Sequence, residues 1–427
     1  MRESRILDPT PVRTLADHRA VGGGLGLARA RQSSREEIIA TLDAAGVRGR
    51  GGAGFPTGAK WRTVADHASG ASPTTVVVNG AEGEPGSFKD RHLLRTNPFR
   101  VIEGAAIAAH AFEARAVVIA IEGGFDEEAG RLRDAIDEMV AAGWLDHVSI
   151  DVFAGPDHYL YGEETGLLEA LDGRPPFPRV APPWRRGIVE VAIDDTAEPT
   201  AETAGLTLGA EGRTSPVPPA LVNNVETLCH VAAILAHGPE WFREVGTEDS
   251  PGTVVCTITG STRNHGVGEF AMGTPLSSVI DELGGGPRSG RSVRAALSGV
   301  ANPLLIDDDL DTPLTYEDMR ALGNGLGAAG FIVFDDGDDL VEVISGAVHF
   351  LAIESCGQCQ PCKSDGLALD HLVADVAGGV PLDDHTRQRL ERLRSTVTDG
   401  ARCNLAHQIL ANCPMQAQRN KVKRIYQ

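Results

Sequence analysis

Thr75-Val76-Val77-Val78-Asn79-Gly80-Ala81-Glu82-Gly83-Glu84-Pro85-Gly86 decides how this chain folds. Its first four residues are a β-branched run of the kind that makes a short buried strand. An acidic, glycine-rich turn follows at once. The elements beyond it alternate: an alanine-rich helix over 100–112, a buried strand over 116–121, an amphipathic helix over 126–142 and a third strand over 148–153. In the second helix Leu132, Ile136, Met139 and Val140 are expected on the buried side. Strand, helix, strand, helix, strand predicts right-handed crossovers and a parallel sheet, whose ligands gather at the carboxyl ends of the strands. The acidic turn from Asn79 to Gly86 leaves the first strand at that edge.

Upstream, Ser34-Arg35-Glu36-Glu37 reads as a capping box, with Ile38, Ile39 and Leu42 on one face of the helix it opens. That helix runs into the loop Gly49-Arg50-Gly51-Gly52-Ala53-Gly54. The pattern G-x-G-x-x-G is present, but a dinucleotide fingerprint should follow a strand, and here a helix precedes it. What the loop offers is a run of unhindered backbone N–H groups, a cradle for phosphate. Arg48, Arg50, Lys60 and Arg62 surround it, with no acid between Val47 and Ala65. A linker with solvated arginines is the competing explanation.

Downstream, residues 188–219 are rich in acids, threonine, glycine and proline and read as a long surface excursion. A new unit starts near Gly252: a hairpin from 253–259 and 268–272, a helix over 275–283 and a strand over 295–298. That order suggests a small β-grasp module. Beyond about Val341 strand signals fade, and stretches such as 387–397 suggest a helical domain. The full expectation is an α/β protein with an N-terminal extension (1–33), a Rossmann-like parallel-sheet domain (34–240), a β-grasp domain (252–335) and a helical domain (340–427).

At 427 residues the length itself suggests about three domains. The formal charge of −20 makes nucleic acid and anionic membrane surfaces poor partners. No apolar run reaches the ~18 residues of a membrane span, and Met1-Arg2-Glu3-Ser4-Arg5 is charged at once. A cytoplasmic, reducing location is therefore expected. There, clustered cysteines are read as ligands rather than disulfides.

Four of the seven cysteines cluster in that sense. Cys356, Cys359 and Cys362 form C-x2-C-x2-C, a spacing that wraps three corners of an iron–sulfur cube while a distant residue supplies the fourth. Gly357 suits the tight turn. Zinc is the main functional competitor, though it usually takes cysteines as separated pairs; buried free thiols are the other alternative. Cys403 and Cys413 both stand as candidates for the fourth corner, and Cys229 and Cys256 read as small core residues. Two further motifs carry polar groups: Tyr159-Leu160-Tyr161-Gly162-Glu163-Glu164-Thr165, and Asn223-Asn224-Val225-Glu226-Thr227, whose amides suit a heterocyclic ring.

Taken in order, Gly49–Trp61, Asn79–Asp90, Tyr159–Gly173, Asn223–Leu228 and Glu354–Cys362 resemble the NADH-oxidising, flavin-carrying subunit of respiratory complex I. Relatives of that family occur in soluble hydrogenases and formate dehydrogenases. The resemblance covers residues 35 to 410 and implies FMN, a [4Fe-4S] cluster and NAD(H) as cofactors. It would place Gly49, Gly51, Gly52 and Lys60 on the FMN phosphate, and Asn79, Asn223, Asn224 and Thr227 on the flavin. Phe55, Glu82, Glu84, Tyr159, Gly162, Glu163 and Glu164 would line the nicotinamide and ribose side, with Glu82 and Glu84 expected to serve catalysis. The motif comparison favours Cys403 as the fourth cluster ligand.

The implied partners are a thioredoxin-like [2Fe-2S] subunit and larger redox subunits. These would hold the chain at the inner face of a membrane where the complex is membrane-bound. The chain also departs from the family. An acid that contacts flavin is replaced by Ala81, a lysine involved in NADH binding by Ala181, and an aromatic residue by Thr63. Trp184 stands where the family has phenylalanine and would stack on adenine. These losses motivate an alternative: a scaffold that keeps its cofactors but takes electrons from a protein donor. A metal-free dinucleotide dehydrogenase is disfavoured by the loop's context and the cysteines.

Overall fold

The computed structural model describes residues 2–68, 73–188 and 218–412. Most of the 188–219 excursion, and Cys413, lie outside the described residues. Of the expected extension 1–33, the described residues 2–33 are built into the body. A short strand β1 (Arg2–Glu3) pairs antiparallel with a strand far downstream. Helices α1 (Leu15–Ala20) and α2 (Leu25–Ala30) are fastened by the buried Glu103, whose carboxylate accepts from His18 Nε2, Gly24 N and Leu27 N.

The first unit then runs α3 (Arg35–Ala45), α4 (Thr57–His67), β2 (Thr75–Gly80), α5 (Lys89–Thr96), α6 (Pro98–Phe112), β3 (Ala116–Glu122), α7 (Asp126–Ala141), β4 (Ser149–Gly155), α8 (Glu164–Leu171), β5 (Ala220–Asn224), α9 (Val225–His237) and α10 (Pro239–Arg243). The capping box opens α3 as read: Ser34 Oγ accepts from Glu37 N and Glu37 Oε2 from Ser34 N. The strands form one all-parallel sheet in the order β4-β3-β2-β5. Both of its faces are covered, which is why β2 reads as an unbroken apolar run. Val76 and Val78 join the large core shared with α6 and α9, whereas Val77 joins a smaller one with α8 residues Leu167 and Leu168 on the opposite face. Each buried valine contributes roughly 1.5–3 kcal/mol. The helix over 126–141 buries Leu132 and Met139 as expected, but Val140 is exposed, because Met139 already fills that turn's core position.

The second unit contains β6 (Thr253–Gly260), β7 (Gly266–Ala271), α11 (Leu276–Gly284), β8 (Val293–Leu297), β9 (Leu305–Ile306), α12 (Tyr316–Ala321) and β10 (Gly330–Asp335). Its sheet order is β1-β7-β6-β10-β8-β9, with β6 and β10 parallel at the centre and antiparallel neighbours on either side. That is the β-grasp arrangement. The last unit is helical: α13 (Leu340–Glu354), α14 (Gln360–Ala377), α15 (Asp384–Thr396) and α16 (Leu405–Asn412). Among the described residues no helix is long and apolar enough to cross a membrane.

A buried ionic network joins the first two units. Lys89, fully buried, lies 2.8 Å from Asp90 and 3.0 Å from Glu226. Glu226 Oε1 accepts from Val255 N of β6, with Arg50 at 3.9 Å and His230 at 3.7 Å. Burial alone would raise the Glu226 carboxyl, yet Lys89, His230 and Arg50 together hold it down at about 2. Removing one partner of such a set strands a charge in a low-dielectric interior, at a cost of about 3–5 kcal/mol. Lys89→Met is therefore expected to lower unfolding stability in urea by about that amount, and to do so more than Lys89→Arg; a loss below about 1 kcal/mol would contradict the network's role.

Candidate active site

All four strands of the first sheet point the same way, so their carboxyl ends meet at one edge. Val78 pairs with Asn223 and Asn79 with Asn224, which brings the three asparagines Asn79, Asn223 and Asn224 to that edge. Asn224 also caps α9, accepting from Glu226 N, and its Nδ2 donates to Asp90 Oδ2 at 2.7 Å. Asn79 Nδ2 donates to Gly162 O, and Asn223 Oδ1 accepts from the buried Trp61 indole.

Opposite this edge stands the glycine loop, pinched shut by Gly49 N donating to Phe55 O and Arg48 Nε to Gly54 O. Gly52, with φ +123°, takes a backbone conformation closed to other residues and bridges Gly327 of the β-grasp unit. Between loop and sheet edge lies a cavity of about 890 Å³, at the upper end of the size of small-molecule sites.

The structure brings the sequence-derived residues to this cavity: Gly49, Gly51, Gly52, Phe55, Lys60, Asn79, Glu82, Glu84, Tyr159, Gly162, Glu163, Glu164, Trp184, Asn223, Asn224 and Thr227 all line it. Thr63 and Ala81 line it too, whereas Ala181 does not. Sequence reasoning missed Thr57, Asp90, Ser298, Asn302 and Gln408. The dense glycines from Gly323 to Gly330 were a usable signal for the β-grasp wall formed by Gly325, Gly327 and Ala328; nothing local flags Gln408.

The expected ring of cations is corrected. Arg50 is buried and spends its guanidinium on Thr253 O and Tyr316 OH in the seam between units. Arg48 stacks on Tyr316 and pairs with Glu317, and Arg62 pairs with Asp43. Lys60, ion-paired with Glu164, is the single cation among the described lining residues. Five carboxylates face it: Glu82, Glu84, Asp90, Glu163 and Glu164.

These acids divide by partner. Glu82 caps α5, accepting from Ser87 Oγ, Asp90 N and Arg91 N. Glu163 caps α8 through Thr165 N and Gly166 N. Glu84 instead accepts from Val300 N at 2.6 Å and Tyr159 OH at 3.0 Å. Burial raises its pKa, the two hydrogen bonds opposing.

The cysteine loop joins α13 to α14. Gly357 has φ +82°, the turn the motif requires, and Cys359 is the N-cap of α14. Cys403 precedes α16 and accepts from Leu405 N; burial pushes its thiol up to about 11, with Glu163, Cys356 and Cys362 adding like charge. Cys356 and Cys359 likewise raise Cys362 beyond the effect of its burial. The four thiols are thus electrostatic neighbours. Among the described residues, however, no three metal-binding side chains converge tightly enough for a single ion. Cys403 also lines the cavity. Cys229 and Cys256 are fully buried, as core residues should be.

The Nuo51 FMN-binding domain family model matches residues 42–233, and the NADH-ubiquinone oxidoreductase-F iron-sulfur binding region matches residues 342–418. An NADH-quinone oxidoreductase subunit of Rhizobium meliloti (strain 1021) is 33% identical over 369 residues, 84% of this chain and 81% of that one. This chain belongs to the family of FMN- and iron–sulfur-binding NADH-quinone oxidoreductase subunits. The corresponding protein of Streptomyces coelicolor is 35% identical over 375 residues, 86% of this chain and 77% of that one. Among solved structures, an NAD+-reducing [NiFe]-hydrogenase in the H2-reduced state aligns with a TM-score of 0.78 at 28% identity. That match covers 99% of this chain and 66% of the hydrogenase chain, so the present chain spans about two thirds of its length.

The residues present fit the cofactors of this family. For FMN, Thr57 Oγ1 is a buried hydroxyl with no partner among the described residues; it lines the cavity at the first turn of α4, beside the glycine loop and Lys60. A helix N-terminus with open amides and a cation is suited to phosphate. For the cluster, four thiols and the N-terminus of α14 suit an anionic iron–sulfur group.

Behind the cavity wall, Glu122 shares a hydrogen bond with Asp157, and Gly83 is close enough that a Cβ there would stand 3.2 Å from Glu122 Oε1. Burial, then the charge of Asp157, raises Glu122 to about 7, against the ordinary value of 4.5. A raised acid contributes stability that is full below about pH 4.5 and lost as pH rises through about 7. Glu122→Gln should therefore flatten the decline in melting temperature across that window and melt higher than wild type above pH 7. Parallel curves for the two proteins would contradict the assignment.

Proposed function

We propose that this chain oxidises NADH at the cavity and passes the electrons singly through the four-cysteine site to a partner subunit. The observation that carries the reading is that Cys403, one of the four thiols, is itself part of the cavity wall. FMN, when bound, supplies the exchange between two-electron hydride chemistry and one-electron transfer.

The chain's own residues do the rest. Lys60, Thr57 and the amides of Gly51 and Gly52 hold the phosphate in the loop that Gly49 closes through Phe55 O, while Asn79, Asn223, Asn224 and Thr227 orient the ring. Phe55, half exposed at the cavity, offers its face to the nicotinamide, and Trp184 offers its own to adenine. Glu82 holds the turn in place by capping α5. Glu84, kept against Tyr159 OH, presents a carboxyl whose charge is tempered by burial beside the nicotinamide. Cys356, Cys359, Cys362 and Cys403 hold the [4Fe-4S] cluster. The onward acceptor is a thioredoxin-like [2Fe-2S] subunit or a larger redox subunit, with the chain in the cytoplasm or at the inner membrane face.

One observation favours the second reading, in which electrons arrive from a protein donor. Among the described lining residues a single cation, Lys60, stands against five carboxylates, and Thr63 turns its hydroxyl back to Ala59 O. An anionic dinucleotide has little positive charge to meet. The experiment that decides is anaerobic: purify the protein, record the flavin absorbance and add NADH. Bleaching within minutes is expected; a flavin that stays oxidised with NADH but bleaches with dithionite would overturn the first reading. Cys359→Ser should abolish the [4Fe-4S] EPR signal while flavin remains, and survival of the signal would refute the ligand set.

A further inference from the structure

The strongest feature outside the cavity is a lysine beside the cysteine loop. Lys363 Nζ donates to Ala352 O and Ile353 O at 3.1 Å each and to Ser355 O at 3.0 Å. An ammonium has three N–H donors, so all of them are used on backbone carbonyls. Those carbonyls belong to the C-terminal end of α13, which has no basic residue in its last turn and ends in an acid, Glu354. A helix end leaves carbonyls without intrahelical partners and carries partial negative charge, and both are relieved by a cation there. Lys363 is that cation.

Its backbone belongs to the other side of the loop. Lys363 N donates to Cys359 O in the first turn of α14, directly after Cys362. Ser355, whose carbonyl Lys363 holds, also sets its Oγ 3.3 Å from Cys362 Sγ and precedes Cys356 in the chain. The side chain therefore ties the stretch that carries Cys356 to the stretch that carries Cys362. It does so with a full positive charge near the thiols. Glu354 extends the same link to the cavity, because its Oε2 accepts from Tyr159 N.

We propose that Lys363 is the positioning residue of the three-cysteine loop, and that its charge raises the reduction potential of the cluster held there. The physical reason is general: cluster potentials follow local charge and hydrogen bonding, and a nearby cation favours the state with the extra electron. This inference rests on the four-cysteine cluster reading of the site.

The test uses the full chain purified anaerobically. Iron and sulfide per chain are counted first; a wild type without a [4Fe-4S] complement would remove the cluster reading itself, independently of Lys363. Midpoint potentials are then measured by EPR-monitored redox titration for wild type, Lys363→Met, Lys363→Gln and Lys363→Arg. The neutral variants that hold four irons should titrate at a more negative potential. The expected shift is on the order of a tenfold change in the oxidised-to-reduced ratio at fixed poise, about 59 mV for one electron. Lys363→Arg should recover most of it. Iron lost from both neutral variants but kept in Lys363→Arg supports the lock directly. Unchanged potentials in the neutral variants, an arginine variant shifted as far as the methionine one, or iron lost from all three variants would overturn the proposal.

Discussion

The pairing of Lys89 with Glu226 is the constraint on which the rest of this structure depends. Glu226 sits in the first turn of α9 yet accepts from Val255 N of the β-grasp sheet. Lys89 reaches it from the start of α5 and also faces Asp90 and Asn224. One pair thus fixes the floor of the cavity and the seam against which its far wall is built. Arg50 completes the arrangement by tying the glycine loop to Thr253 O in that seam. If the pair were lost, the loop, the amides at the sheet edge and the β-grasp wall would no longer share a frame.

How much of this was legible in sequence varied with the kind of interaction. The parallel sheet was legible because Val76, Val77 and Val78 are buried on both faces, and only a covered sheet makes an unbroken β-branched run useful. The capping box at Ser34 was legible because its two hydrogen bonds lie within four residues. Long-range pairing was not. Arg48 and Arg50 looked like free cations in sequence because their partners, Glu317 and Thr253 O, come from another unit. Thr57 and Gln408 carry no distinguishing pattern; only burial and position make them part of the cavity. Val140 satisfied the helical period within its drift, and packing gave the place to Met139.

The cavity and the cysteine site share a short element. Cys403, Asn404, Leu405 and Gln408 line the cavity from the start of α16, and Asn412 of the same helix donates to Val300 O. Val300 N in turn donates to Glu84, and Tyr159 OH, within reach of both Glu84 and Gln408 of α16, closes the ring of helix, β-grasp loop and acidic turn. Among the described residues, the cavity offers anionic ligands amides, helix ends and Lys60 rather than a field of positive charge.

The central claim, that the cavity and the four cysteines work as one electron-transfer unit through Cys403, is tested most directly by freeze-quench EPR after one equivalent of NADH is mixed with the anaerobic protein. The account predicts a reduced [4Fe-4S] signal that grows in step with the loss of flavin absorbance. A flavin that bleaches fully while the cluster stays oxidised, although dithionite can reduce it, would contradict it.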